Sequence, residues 1–311
     1  MSPRAWFVFA AVSLIWGTPY LFIKIAVDGG LPPLPLAWGR VVLGAVVLLT
    51  IAWRAGTLAP LRGRGRWLLA YALAELAIPF PLLGVGEQRV SSSTAAIVIA
   101  TAPLVVAGLA LRFEPAERLD GRRLAGLLVG LAGVAALVGI DVAGSASELF
   151  GVACVFVAAC CYAIGPMVLK RHLADLDPIA SMGVSLAIAG ALLTPLAAVA
   201  APSADPGGGA VAAVIVLGLL CTALALVLMA ILVAEAGPSR ALVITYINPV
   251  VAVALGVIFL GEQPGAGAIV GLAAILFGSW LATRGGPPAE VEPDPVASRA
   301  AVQLEGSGDP R

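Results

Sequence analysis

The chain has 311 residues, 60% of them hydrophobic and only 12% charged, with a formal net charge of zero. Soluble domains carry about 25% charged residues, and no soluble core covers so many continuous apolar runs without leaving large exposed patches. Composition therefore excludes a water-soluble globular protein and makes the bilayer the solvent.

A helix that crosses a bilayer needs about 20 mostly apolar residues. In chain order ten segments qualify: 5–27, 34–53, 67–86, 91–111, 124–140, 149–169, 178–200, 210–234, 241–260 and 268–283. The fifth and tenth are the shortest. The first is longer than the apolar core of a cleaved signal peptide, about 7–15 residues, and it contains Lys24, so it reads as a retained span. Connections are short, which makes successive spans antiparallel neighbours or near-neighbours.

With the N-terminus inside, the cytoplasmic ends collect Arg4, Arg54, Arg62, Arg64, Arg66, Arg112, Arg118, Arg122, Arg123, Lys170, Arg171, Arg240 and Arg284, and the outer side keeps only Arg89. That asymmetry predicts a multi-pass protein of the cell membrane with both termini cytoplasmic. The basic run from Arg62 to Arg66 reads as a topogenic loop, and no nucleic-acid partner is expected. Residues 285–311, rich in Pro, Glu, Ala and Ser without apolar period, read as a disordered cytoplasmic tail.

One pattern occurs twice. Pro103, Glu117, Gly126 and Gly133 are followed in the second half by Pro249, Glu262, Gly271 and Gly278. From each Glu the first Gly is nine residues on and the second sixteen, and the Pro-to-Glu interval is fourteen in one copy and thirteen in the other. The pairing extends upstream, where Trp16 precedes Lys24 as Tyr162 precedes Lys170, by eight residues each. Five spans per copy is an odd number, so the second copy enters the membrane upside down. The expected fold is an all-α membrane protein of ten transmembrane helices in two inverted five-helix repeats, 1–140 and 149–284.

The residues in these positions resemble the EamA-type transporters of the drug/metabolite transporter superfamily. The matching pieces are Trp16-Gly17 leading to Lys24, Pro33 followed by Arg40, Ile78-Pro79-Phe80, Glu87-Gln88-Arg89 with Pro103-Leu104, Glu117-Arg118-Leu119 before Gly126 and Gly133, and Asn248-Pro249-Val250 with Gly261-Glu262. The resemblance covers about residues 5–284 and implies ten helices, two five-helix repeats and export or exchange of small metabolites. Arg40 departs from the twofold pattern, since its second-half counterpart is Ser185.

Ionisable groups inside hydrocarbon cost roughly 2.5–3.5 kcal/mol each on insertion scales and mark functional positions. Lys24, Arg40 and Glu75 qualify. The rigid fork of Arg40 suits a carboxylate or phosphate. Glu75 shares a helix face with Tyr71 and lies below Pro79; it is either a proton-coupling site or the neutralising partner of Arg40, from which it differs in depth by about 7 Å. Trp16, Tyr20 and Lys24 line one face of the first span. Pro79, Pro103 and Pro249 are expected helix kinks that free carbonyls one turn back, and Thr101, Tyr246 and Asn248 beside them are cavity candidates. Glu87, Glu117 and Glu262 read as caps or loop anchors. The Gly126-x-x-x-Gly130 and Gly267-x-x-x-Gly271 spacings seat helices in the bundle, with a monomer or homodimer both open.

The four cysteines lie inside apolar runs and behave as small hydrophobes, and a lone His172 builds no metal cluster. No metal or cofactor is expected, and the absence of a Walker A sequence disfavours transport driven by the chain's own ATP hydrolysis. The expected function is a secondary transporter that exports or exchanges a small metabolite or drug-like solute by alternating access, with protons as coupling ion and a central cavity between the repeats. A membrane-embedded enzyme and a non-transporting scaffold are the alternatives.

Overall fold

The computed structural model describes residues 1–113, 121–142, 144–202, 205–241 and 243–283. The sequence expectations placed on Glu117, Arg118, Leu119, Arg284 and the 285–311 tail lie outside the described residues. Every regular element among the described residues is helical. Nine helical spans among them are long and apolar enough to cross a membrane: Pro3–Asp28, Pro33–Ala55, Gly65–Glu87, Ser92–Leu109, Gly121–Val142, Ala146–His172, Pro178–Val199, Gly208–Ala236 and Ala266–Thr283, with a shorter apolar helix at Ile244–Leu260. The chain is a multi-pass membrane protein.

Local chemistry sets the ends. Pro3, Pro33 and Pro178 open their helices where a missing N–H costs nothing. Ser2, Ser91, Ser145 and Asp177 cap the backbone N–H of Ala5, Thr94, Glu148 and Ala180. Gly56 and Gly261 close the second and ninth spans in the left-handed conformation, at φ 71° and 64°. The tenth span is short as expected, with 18 residues, but the fifth runs to Val142. The ninth has 17 residues because its helix starts at Ile244, after the short helix Pro238–Ala241.

Several spans are interrupted within the membrane. The first breaks at Thr18, before Pro19. The third passes through a π-helical stretch, Leu73–Ala77, before Pro79, and the eighth through another, Leu219–Leu224. The fourth breaks at Ala100–Thr101 and restarts at Ala102. The fifth ends in a third π stretch, Leu137–Val142. Pro79 and Pro103 thus stand at the start of a new helix, while Pro249 lies inside the continuous helix Ile244–Leu260.

Small residues let backbones meet. A Cβ on Gly126 would lie 2.5 Å from the Ala282 nitrogen and 2.7 Å from the Gly278 oxygen. One on Gly133 would lie 2.9 Å from the Gly271 oxygen, and one on Gly271 2.9 Å from the Gly133 oxygen. The fifth and tenth spans therefore run antiparallel in close contact. The second and seventh spans also pair antiparallel: Trp38 donates to Thr194 at 3.0 Å, and at the other end a Cβ on Gly183 would lie 3.1 Å from the Leu49 nitrogen.

Candidate functional site

The interruptions matter because they gather polar groups. Arg40 of the second span is 7% exposed. Its Nε donates to the Thr222 hydroxyl at 3.0 Å, and its guanidinium lies 3.8 Å over the Phe80 ring. A desolvated cation on an aromatic face gains about 2 kcal/mol, which offsets part of the cost of burying it. Thr222 sits in the π stretch of the eighth span and also donates to the Leu217 carbonyl, five residues back, at 2.8 Å. The Trp16 indole donates to the Cys221 carbonyl of the same stretch at 3.2 Å. Pro19 cannot donate to the Ile15 carbonyl, so the Thr18 hydroxyl does, at 2.7 Å, while lying 3.2 Å from the Cys221 sulfur. Tyr162, Cys221, Tyr20 and Glu87 stand within electrostatic reach of Arg40. The first, second, third, sixth and eighth spans thus converge on one guanidinium.

Glu75 lies at the edge of this cluster. Pro79 lacks the N–H that would bond the Glu75 carbonyl, and the chain answers with the π stretch, where Ile78 N–H donates to Leu73 at 3.2 Å. The Glu75 carboxylate abuts Gly165 of the sixth span, where a methyl group would collide with Oε2. Oε2 is buried with no hydrogen-bond donor. Tyr71, Tyr162 and Cys161 are within its electrostatic reach. Of the two readings open for Glu75, the pairing with Arg40 has no ion pair behind it here: Arg40 turns onto Phe80 and across to Thr222.

The remaining predicted residues fall elsewhere. Lys24 donates to the Glu87 carbonyl at 2.9 Å and pairs with Asp28 at 3.2 Å. The Thr101 hydroxyl bonds the Val98 carbonyl at 2.6 Å, inside the break of its own span. With its amide oriented to donate, Asn248 bonds the carbonyls of Ile244 and Ser13, each at 3.1 Å. The Tyr246 hydroxyl pairs with Thr283 at 2.6 Å. None of these bonds reaches Arg40.

Two acids were misjudged or missed from sequence. Glu87 is 0% exposed and neither carboxylate oxygen is bonded, so it caps nothing. Asp141 accepts from the Gly267 and Ala268 N–H groups at 3.1 and 2.6 Å and caps the tenth span. Glu262 does anchor a loop, accepting from Ser92 N–H at 2.7 Å and Ser93 N–H at 3.0 Å. Among the described residues no cluster of metal-ligating side chains forms.

A recess of about 440 Å³ lies by Trp53, Gly56, Leu58, Ala59 and Arg62, and an apolar crevice of about 220 Å³ lies between Ile97, Val253 and Leu272. Neither is lined by the Arg40 cluster. In that cluster Arg40, Phe80 and Tyr20 are all buried.

Comparison with known proteins follows this geometry. The model of the EamA-like transporter family matches twice, over residues 4–139 and 149–284. The chain is 30% identical over 282 residues to the uncharacterized inner membrane transporter YedA of Escherichia coli (strain K12), spanning 88% of this chain and 89% of that one. It is 27% identical over 279 residues to the uncharacterized transporter YoaV of Bacillus subtilis (strain 168), spanning 88% and 94%. It is 29% identical over 294 residues to a "Probable terminal-alkyne amino-acid exporter" of Streptantibioticus cattleyicolor, spanning 91% and 94%. A solved crystal structure, 22% identical, superimposes with a TM-score of 0.64 over 91% of this chain and 98% of its own, a likeness of fold. A double match across all the helical spans, with transporter-named relatives aligned over most of both chains, makes the chain a membrane transporter and not an enzyme: it belongs to the EamA-like transporter family.

Proposed function

We propose that the chain is a secondary transporter that exchanges or exports a small carboxylate-bearing metabolite, amino-acid-like in size, by alternating access coupled to protons. The observation that carries this reading is Arg40: buried where five spans converge, and joined to no carboxylate among the described residues. A cation kept in that position fits a solute whose carboxylate completes it, with the planar fork giving bidentate recognition. Trp16, Tyr20, Phe80 and Tyr162 supply the apolar and aromatic walls. The relative named as an amino-acid exporter agrees with this solute class.

The frame of the proposal is two inverted repeats with both termini cytoplasmic. Reciprocal contacts support it. If 126 corresponds to 271 and 133 to 278, the Gly126–Gly278 contact becomes the Gly271–Gly133 contact, and both are present. If 38 corresponds to 183 and 49 to 194, the Trp38–Thr194 bond becomes the Gly183–Leu49 approach, and both are present. The π stretches of the third and eighth spans, 73–77 and 219–224, correspond in the same way. Glu75 is the proton site in this reading, since an acid without a donor on Oε2 is tolerated in hydrocarbon as the neutral form. Asymmetric Arg and Lys placement supports the orientation.

Counterflow in proteoliposomes tests it. Liposomes preloaded with an unlabelled mixture of amino acids accumulate labelled amino acid through the parent chain, and Arg40→Ala liposomes do not. Equal accumulation by both would remove Arg40 from the solute site.

A further inference from the structure

A second buried acid is left over by that reading. Glu87 ends the third span at the side opposite the N-terminus, and it is fully buried with both carboxylate oxygens unbonded. Lys24 is close, but its ammonium is turned to the Glu87 backbone carbonyl and to Asp28, not to the Glu87 carboxylate. The groups facing Glu87 are Tyr20, Lys24 and Asp28 of the first span, Arg40 of the second, and Glu262 from the loop after the ninth. Glu262 is itself tied to the start of the fourth span through the Ser92 and Ser93 N–H groups. Gly256 makes this closure fit, since a Cβ there would lie 2.8 Å from the Ser93 hydroxyl and 2.9 Å from that of Ser92. Ser92 is 0% exposed, and its hydroxyl is a second polar group in this layer without a partner.

Burial disfavours an ionised carboxylate with no donor on either oxygen, and Glu262 and Asp28 nearby add like charge; Lys24 and Arg40 favour the ionised form from within reach, but neither bonds a carboxylate oxygen. A neutral acid in the same place leaves only modest unmet hydrogen bonding. We propose that Glu87 is a proton-binding switch for this end of the bundle. A proton on Glu87 lets the first, third, fourth and ninth spans close over it; its loss brings water in and draws Lys24 away from Asp28, parting the layer. The inference rests on the alternating-access reading but assigns it a second proton site, separate from Glu75.

The test needs no solute. Ser92→Cys places a thiol in the sealed layer, and its modification by a polar maleimide in detergent reports opening, read by mass on the peptide bearing residue 92. The closed form holds one proton more than the open form, so the open-to-closed ratio rises with pH by up to about tenfold per unit. Thiol ionisation adds the same slope to every variant, so the comparison is between backgrounds. The expected result is that labelling climbs more steeply with pH in the Ser92→Cys chain than in Ser92→Cys with Glu87→Gln, by up to about tenfold per unit. Parallel profiles in the parent and Glu87→Gln backgrounds would overturn the switch. So would a profile that follows replacement of sodium by choline at fixed pH, which would assign the layer to a metal cation. If Ser92→Cys does not fold, hydrogen–deuterium exchange of the helix Ser92–Ile99 in the parent and Glu87→Gln gives the same comparison. Failure here leaves solute transport to be decided by counterflow, so the two proposals fall separately.

Discussion

At the scale of single residues, the site is defined by what its polar groups are denied. Arg40 rests on an aromatic face and one hydroxyl, and Glu75 presses an unbonded oxygen against Gly165. Removing the cation is expected to weaken a carboxylate-bearing solute by about 10- to 100-fold, the worth of a charge-assisted hydrogen bond of about 1.5–3 kcal/mol. Arg40→Lys should recover only part, because a point charge lacks the bidentate fork; half-saturation concentrations in counterflow measure both. Glu75→Gln should leave counterflow in place and abolish flux driven by a pH gradient, and persistence of gradient-driven flux would take Glu75 out of the coupling role. Arg40, Glu75, Trp16 and Tyr20 could be singled out in the sequence because charge and aromatic amphipathy stand out in apolar runs. Glu87 could not, since an acid at the end of a span looks the same whether it caps a helix or is swallowed by the bundle. Asp141 escaped for the same reason.

At the scale of helices, prolines were informative and the other breaks were silent. Pro19 and Pro79 mark the interruptions of the first and third spans, but the eighth span bends through Leu219–Leu224 with no proline in it. That π stretch supplies the Cys221 carbonyl and the Thr222 hydroxyl that hold Trp16 and Arg40, so this part of the site's scaffold had no local sequence signal. Glycine spacing was a better guide. Gly126→Ala should force the fifth and tenth spans apart, because the new methyl would meet the backbone of Ala282 and Gly278 at 2.5–2.9 Å and the backbone cannot rotate away. The expected loss is about 1–3 kcal/mol of stability, seen as a lower melting temperature in detergent. Gly139→Ala, with open space around its Cβ, is the control and should melt as the parent does or slightly higher. Asp141→Ala should cost about 1 kcal/mol by uncapping the tenth span.

At the scale of the whole molecule, the apolar spans were legible because a bilayer fixes span length, and the doubled Pro–Glu–Gly–Gly spacing lies in the two stretches that the family model matches. The burial of Arg40 against Phe80 and Thr222 was not legible, because it depends on how side chains from five different spans pack together. The proposed mechanism requires that the Arg40 cluster open to one side and then the other. A native reporter already sits in it: Cys221 is 1% exposed and lies beside Thr18. The most direct measurement is modification of Cys221 by a membrane-impermeant maleimide in right-side-out and inside-out vesicles, with Cys154, Cys160 and Cys161 replaced by alanine. Alternating access predicts slow labelling from both faces. Labelling from one face alone, or from neither, would contradict it.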